Sequence, residues 1–225
     1  MYLSRIRVLP GPELFELFKT NNSENGYAVH QLLWNLFPNG GEKKRDFLFR
    51  ENKESEFPCF YMVSKDEPVA NSALSVECKE YKPVLKKGDR LHFSLVANPV
   101  IARKKEGKKH SEKHDVWMDA KKKAKDSGLQ GGDLYKACED ATKEWLVNRS
   151  TNNGFSIKLE DFVIDGYLQH NLRKMRGGKE IRFSSIYFYG LLEVSDPEIF
   201  VEKALFKGIG PAKAFGCGLL LVKQI

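Results

Sequence analysis

The sequence predicts an α+β fold of two tandem halves, each with helices laid on a largely antiparallel sheet. Three observations carry that expectation. Short alternating or apolar runs, bounded by Pro, Gly and charge, recur through residues 2–97. Two segments, Tyr27–Phe37 and Leu134–Leu146, carry apolar side chains at helical spacing. Two long runs, Phe155–Gln169 and Ile181–Val194, flank a Gly-Gly pair and read as the arms of a hairpin. Two ferredoxin-like units fit this count, residues 1–98 and 99–225, with Asn98-Pro99 as the break between them. A single larger α+β domain is the competing reading, since the halves share no visible repeat.

Taken in order, Tyr2–Val8 alternates weakly and supplies the first strand. The helix Tyr27–Phe37 follows, then strands at Asp46–Glu51, Cys59–Ser64, Ser72–Lys79 and Arg90–Ala97. Arg103–Gln130 is polar and Lys-rich, with Gly107 inside it and Gly128, Gly131 and Gly132 at its end, and is expected to be mobile or loosely helical. Leu134, Ala137, Ala141 and Trp145 mark the second helix. Asn171–Lys179 forms the tip of the hairpin, turned by Gly177-Gly178. Ser195 or Asp196 caps a helix that opens at Pro197 with Glu198 in its first turn, runs to about Lys207 and stops at Gly208. Leu219–Val222 is the last strand.

Composition narrows the function. At 225 residues with 41% hydrophobic content, the chain can bury a real core, which excludes global disorder. It contains no run of eighteen apolar residues, so a membrane-spanning helix is excluded, and its start lacks the apolar stretch of a signal peptide. Cys59, Cys78, Cys138 and Cys217 lie far apart without a CxxC pair, and read as reduced thiols of a cytoplasmic protein. The net charge of +7 is unevenly spread: residues 101–125 carry a local +6 and residues 171–182 a local +4, leaving −3 for everything else. Two basic patches on a near-neutral body point to nucleic acid.

The Tyr27–Phe37 helix is the most informative segment. At about 100° per residue, Val29, Leu32, Leu33 and Leu36 share one side, and Tyr27, His30 and Trp34 gather on the other. Three such side chains facing away from a core would line a cleft. Imidazole moves protons near neutral pH, and a phenol can hold an oxyanion. The helix alone favours a plainer reading, in which Tyr27 and His30 finish the helix start and Trp34 packs on a second domain.

Several motifs together resemble a known family. Met1-Tyr2-Leu3-Ser4, His30-Gln31-Leu32-Leu33-Trp34-Asn35-Leu36-Phe37-Pro38, Arg45-Asp46-Phe47-Leu48-Phe49-Arg50 and Leu95-Val96-Ala97-Asn98-Pro99 resemble the CasE (Cse3) family, as does the glycine-rich block Gly208 to Leu220. These are the CRISPR RNA-processing endoribonucleases of type I-E systems. The resemblance implies two ferredoxin-like domains. It also implies metal-independent cutting of the stem-loop repeat of precursor CRISPR RNA, and retention of the product within the Cascade complex. It places the catalytic His at His30 and a catalytic Tyr at Tyr27. Residues 113–141 are longer than the family pattern.

The chemistry fits those residues without a cofactor. An RNA 2′-hydroxyl can attack its own phosphate in line, leaving a 2′,3′-cyclic phosphate and a 5′-hydroxyl. His30 would serve as general acid or base and Tyr27 would orient the 2′-oxygen or a phosphate oxygen. Arg173, Lys174 or Arg176 would neutralise the developing charge. A thin hairpin tipped with Arg173, Lys174, Arg176 and Lys179 suits the deep groove of an A-form stem, and Arg103, Lys104, Lys105, Lys108 and Lys109 would grip a second stretch of backbone. In the C-terminal block, Gly208, Gly210, Gly216 and Gly218 let backbone approach either a phosphate, with Lys213 adding charge, or a neighbouring element as a packing turn; both readings stand. His110 and His114 have zinc-compatible spacing, but the surrounding lysines oppose a metal, and none is expected. Cys59, Cys78 and Cys217 read as packing residues, and His92 as an ordinary strand residue. Phe183, Tyr187 and Phe188 resemble an RNA-recognition sheet, yet the RNP1 pattern is absent and core packing is expected for them. The runner-up function is a non-catalytic RNA stem-loop-binding subunit of a ribonucleoprotein. A protein-interaction scaffold with incidental charge is the third.

Overall fold

A computed structural model describes residues 1–19, 25–38, 46–103, 111–172 and 180–225, with the backbone alone described at 16–19 and 25–27. The first sheet has the order β2-β3-β1-β4, from β1 (Tyr2–Val8), β2 (Phe47–Glu51), β3 (Cys59–Ser64) and β4 (Leu74–Glu80). Every neighbouring pair is antiparallel. Helices α1 (Pro12–Lys19) and α2 (Asn25–Trp34) connect β1 to β2 and cover one face. Alternation sets that face: Ile6 and Val8 of β1, Phe47 and Phe49 of β2 and Phe60 and Met62 of β3 pack beneath Leu14, Leu33 and Leu36. A non-helical segment carries the chain from β3 back to β4; Val69 N–H donates to the Leu36 carbonyl at 2.9 Å and Asn71 caps the turn into β4.

The second sheet is ordered β11-β5-β10, with β9 and the short β8 both on the far edge of β10. Its strands are β5 (Arg90–Ala97), β8 (Phe155–Ser156), β9 (Phe162–Leu172), β10 (Ile181–Val194) and β11 (Leu220–Gln224). With β5 as its first strand, this unit repeats the strand order of the first, which is the ferredoxin-like arrangement. The division expected at residue 98 therefore cuts β5 from its own sheet, and the two sheets part between Glu80 and Arg90. The cause is side-chain direction: Leu91, Phe93 and Leu95 point into the second core, where β10 and β11 flank β5.

Two further elements depart from expectation. A ribbon of β6 (Val100–Arg103) and β7 (Glu112–Asp115) leads into α3 (Val116–Asp126), a regular helix inside the stretch expected to be mobile or loosely helical. Asp115 explains its start, accepting from Met118 N–H at 2.8 Å. Its buried stripe is Val116, Trp117, Ala120 and Ala124, which the surrounding lysines mask in the sequence. The other departure is α1, which the sequence reading passed over. The second predicted helix is longer than expected as α4 (Gly131–Ser150), and α5 (Pro197–Ile199) continues as a π-helical stretch, Phe200–Lys207. Asp196 is the residue that caps α5. No helix among the described residues is long and apolar enough to cross a membrane.

Asp115 also ties α3 to the second sheet, because its other carboxylate oxygen accepts from Ser184 and, at 3.4 Å, from the Tyr167 hydroxyl. Asp115→Ala should therefore lower the unfolding free energy by about 1–2 kcal/mol, read as a reduced urea midpoint at unchanged slope.

Candidate active site

Helix α2 brings His30 to the flank of the helix rather than to the side opposite the core. Leu33 and Leu36 are buried, Gln31 and Asn35 are exposed, and His30 and Trp34 are half-buried between them. The side facing away from the core is thus the Gln31 side, a correction to the sequence reading. The His30 ring stacks on Phe47 at 5.8 Å and lies 5.6 Å from Trp34 and 6.4 Å from Phe49. Its Nε2 atom is buried. Trp34 meets Phe47 edge-on at 5.8 Å, so the edge strand β2 covers this flank. Tyr27 lies three residues before His30 on the same helix.

The glycine-rich block runs beside this flank. Its 3-10 turn, Lys213–Phe215, packs against both α2 and β2. Close backbone approach dictates its composition. Gly208 has φ of 73°, and a Cβ there would lie 2.6 Å from the Gly218 carbonyl oxygen and 2.7 Å from Leu48 Cδ1. Gly218 N–H in turn donates to the Val96 carbonyl of β5 at 2.7 Å. Gly210 lies against Trp145 and Gly216 against Phe49. The Lys213 ammonium donates to the Lys207 carbonyl at 2.6 Å, which ties the loop to the end of the π-helical stretch. Packing thus accounts for these glycines, and the loop joins the first sheet, the second sheet and α4 at one place.

The base of the long hairpin forms the third wall. Strand β9 touches α2. His170 of β9 stacks on its cross-strand partner Phe183 at 4.4 Å, and Phe183 stacks on Phe215 of the glycine-rich loop at 5.1 Å. His170 Nε2 and Ser185 Oγ are 2.7 Å apart. Burial, then the nearby Lys53 charge, holds the His170 imidazole below its ordinary pKa. The sequence reading missed His170, although counting outward from the expected Gly177-Gly178 tip puts it close to Phe183. It also expected Phe183 and Tyr187 in the core. Phe188 alone of the three is there; Phe183 and Tyr187 face the loop and the first sheet, because alternation along β10 sends Ile186, Phe188, Leu192 and Val194 into the core and the odd-numbered Phe183, Tyr187 and Tyr189 to the opposite side.

The remaining expected residues are dispersed. Arg103 is exposed on β6 and its guanidinium donates to Asp119 of α3 at 2.6 Å, so it is tied to α3. Lys104, Lys105, Lys108, Lys109, Arg173, Lys174, Arg176 and Lys179 lie outside the described residues, as does His110. Among the described residues no cluster of His, Cys, Asp and Glu gathers as metal ligands. Cys59 and Cys217 are buried, whereas Cys78 is half-buried at the edge strand β4.

Comparison with known proteins gives a consistent result. A family model described as CRISPR associated protein matches residues 1–224. The chain is 32% identical over 218 residues to the CRISPR-associated endoribonuclease Cse3 of Thermus thermophilus, covering 92% of this chain and 89% of that protein. It is 29% identical over 201 residues to the CRISPR system Cascade subunit CasE of Escherichia coli, covering 88% and 92%. Among solved structures, CRISPR endoribonuclease Cse3 bound to a 19-nucleotide RNA superposes with a TM-score of 0.71 at 24% identity, covering 99% of this chain and all of the other. The Escherichia coli CRISPR-associated protein Cas6e gives 0.62 at 25% identity over the full length of both.

Two outcomes follow from the ionisation of this region. The folded state prefers neutral His170, so its contribution is complete above the unfolded-state pKa of about 6.5 and is lost as the pH falls below it toward the lower folded value. Between pH 8 and pH 5.5, urea midpoints of the wild type should fall further than those of His170→Phe. Burial pushes the Cys217 thiol up to about 12. Iodoacetamide at pH 8 should therefore modify Cys78 and spare Cys217 in the native protein, as read by peptide mass spectrometry.

Proposed function

The chain belongs to the CRISPR associated protein family, in its CasE (Cse3) branch, and from that premise we propose that His30 is the proton-transferring group of an endoribonuclease that cuts the stem-loop repeat of precursor CRISPR RNA. The protein keeps the mature guide RNA as a subunit of Cascade and works in the cytoplasm, a reducing compartment compatible with its four free cysteines.

One observation carries the assignment of His30: its ring sits where α2, the edge strand β2, the glycine-rich loop and the base of the basic hairpin converge. A stem gripped by that hairpin has its lower end beside the imidazole. The reaction takes its nucleophile from the substrate. The ribose 2′-oxygen attacks the adjacent phosphorus, the bond to the 5′-oxygen breaks, and a 2′,3′-cyclic phosphate and a 5′-hydroxyl remain. This displacement requires neither an outside nucleophile nor a metal ion; it requires in-line alignment and proton transfer. His30 transfers a proton at one of the two oxygens. Tyr27, one helical turn before it, orients the 2′-oxygen or a phosphate oxygen. Arg173, Lys174 or Arg176 supplies positive charge to the phosphorane, and with Lys179 and the 103–109 run binds the RNA backbone.

His30→Ala should slow cleavage of a repeat stem-loop by about 10²–10⁴-fold while binding persists, measured by single-turnover gel assay in EDTA. Cleavage at the wild-type rate by this variant overturns the assignment. A single 2′-deoxy substitution just upstream of the break should abolish cutting, and the wild-type 5′ product should end in a cyclic phosphate. Bound but intact RNA in the same assay would instead favour the non-catalytic stem-binding module.

A further inference from the structure

Arg50 occupies the face of β2 opposite the catalytic helix. Alternation along β2 sends Phe47 and Phe49 to the helix side, and Leu48 and Arg50 toward the second sheet. Leu48 closes the seam between the sheets with Val63 and Leu219. Two residues further on, the Arg50 guanidinium lies 5.7 Å from the Tyr187 ring centroid. Its Nη1 is buried and has no hydrogen-bond partner among the described residues. Burial pulls its pKa below the ordinary arginine value, opposed by Tyr187, whose hydroxyl accepts a hydrogen bond from the guanidinium, by Tyr61 and by Glu54.

Several other described arginines have acidic or carbonyl partners. Arg5 and Arg7 share Glu77, and Arg103 holds Asp119. Arg149, which burial also lowers in pKa, gives hydrogen bonds to the Trp145 and Val100 carbonyls. A desolvated guanidinium with a vacant donor costs stability unless a ligand completes it. The ligand that fits its planar fork best is a phosphate.

The surroundings identify which phosphate. Tyr187 and Tyr189 project from the same face of β10 with ring centroids 5.3 Å apart, and Tyr189 is 44% exposed. Further along that strand, Phe183 meets the glycine-rich loop. His170 and Phe215 cover the two faces of the Phe183 ring, so the rings available beside Arg50 are those of Tyr187 and Tyr189. Bases in a stem are stacked on one another and offer no free face; unpaired bases do.

We propose that Arg50, Tyr187 and Tyr189 form a site for the unpaired RNA strand adjoining the stem, with Arg50 on a phosphodiester and the tyrosine rings against bases. This rests on the nuclease reading only for the source of the RNA. The test compares two uncleavable RNAs carrying a 2′-deoxy nucleotide at the break: the bare stem-loop, and the stem-loop with its unpaired flanks. Wild type should bind the flanked RNA more tightly. Arg50→Ala and Tyr189→Ala should each weaken flanked binding by about tenfold and leave bare-stem binding within about twofold, with Arg50→Lys keeping part of the affinity. The salt slope for flanked RNA should fall by about 0.7 in Arg50→Ala. Equal loss on both RNAs by Arg50→Ala, which a merely structural role produces, overturns the proposal. So does unchanged flanked binding in both alanine variants. Because neither RNA can be cut, failure of wild type to cleave the all-ribose repeat would overturn the nuclease reading and leave this measurement intact.

Discussion

The arrangement depends on how closely the glycine-rich loop approaches the two sheets. Gly208 sits against both the Gly218 carbonyl and the Leu48 side chain, and Gly218 bonds to β5 through Val96. Those contacts leave no room for a side chain, and they fix the spacing between β2 and β5. The small seam of Leu48, Val63 and Leu219 closes around them. Everything near His30 inherits its position from this junction: Phe49 lies against Gly216, and Phe215 against Phe183 of the hairpin.

One consequence is that the proposed site belongs to neither unit. The imidazole comes from the first unit and is oriented by ring contacts with Trp34, Phe47 and Phe49. The paired strands β9 and β10 come from the second. Stacking connects them, through His170, Phe183 and Phe215, by way of the loop. Rings constrain orientation through shape as well as contact area, so a shift at the hairpin base is felt at the loop that flanks α2.

Much of this was legible in the sequence because it is local. The strands from Tyr2 to Ala97 follow from alternation and breakers, and the bounds of β10 were read as they stand. The resemblance singled out His30 and the glycine-rich block, which the fold brings side by side. What escaped the reading was decided by partners distant in the chain. Arg90–Ala97 alternates in the same way whichever sheet it joins; only its pairing with β10 and β11 reveals its unit. Phe183 and Tyr187 look like core residues until it is known which face of β10 the core covers and that the other meets the glycine-rich loop and the first sheet. Trp34 and His30 turned to the flank because β2 covers that side, which no helical wheel contains. The α3 helix was masked by lysines around a narrow apolar stripe anchored by Asp115.

The seam also has a bearing on the order of events as the chain leaves the ribosome. Leu219, Gly218 and strand β11 follow every other described element in chain order, yet they secure β2 and β5. The first unit emerges earlier with its own small core, but the surface that fixes the surroundings of α2 is completed only once β11 has been made. A nascent protein of this design holds the His30 imidazole in an unfinished setting until the second unit has closed against the first.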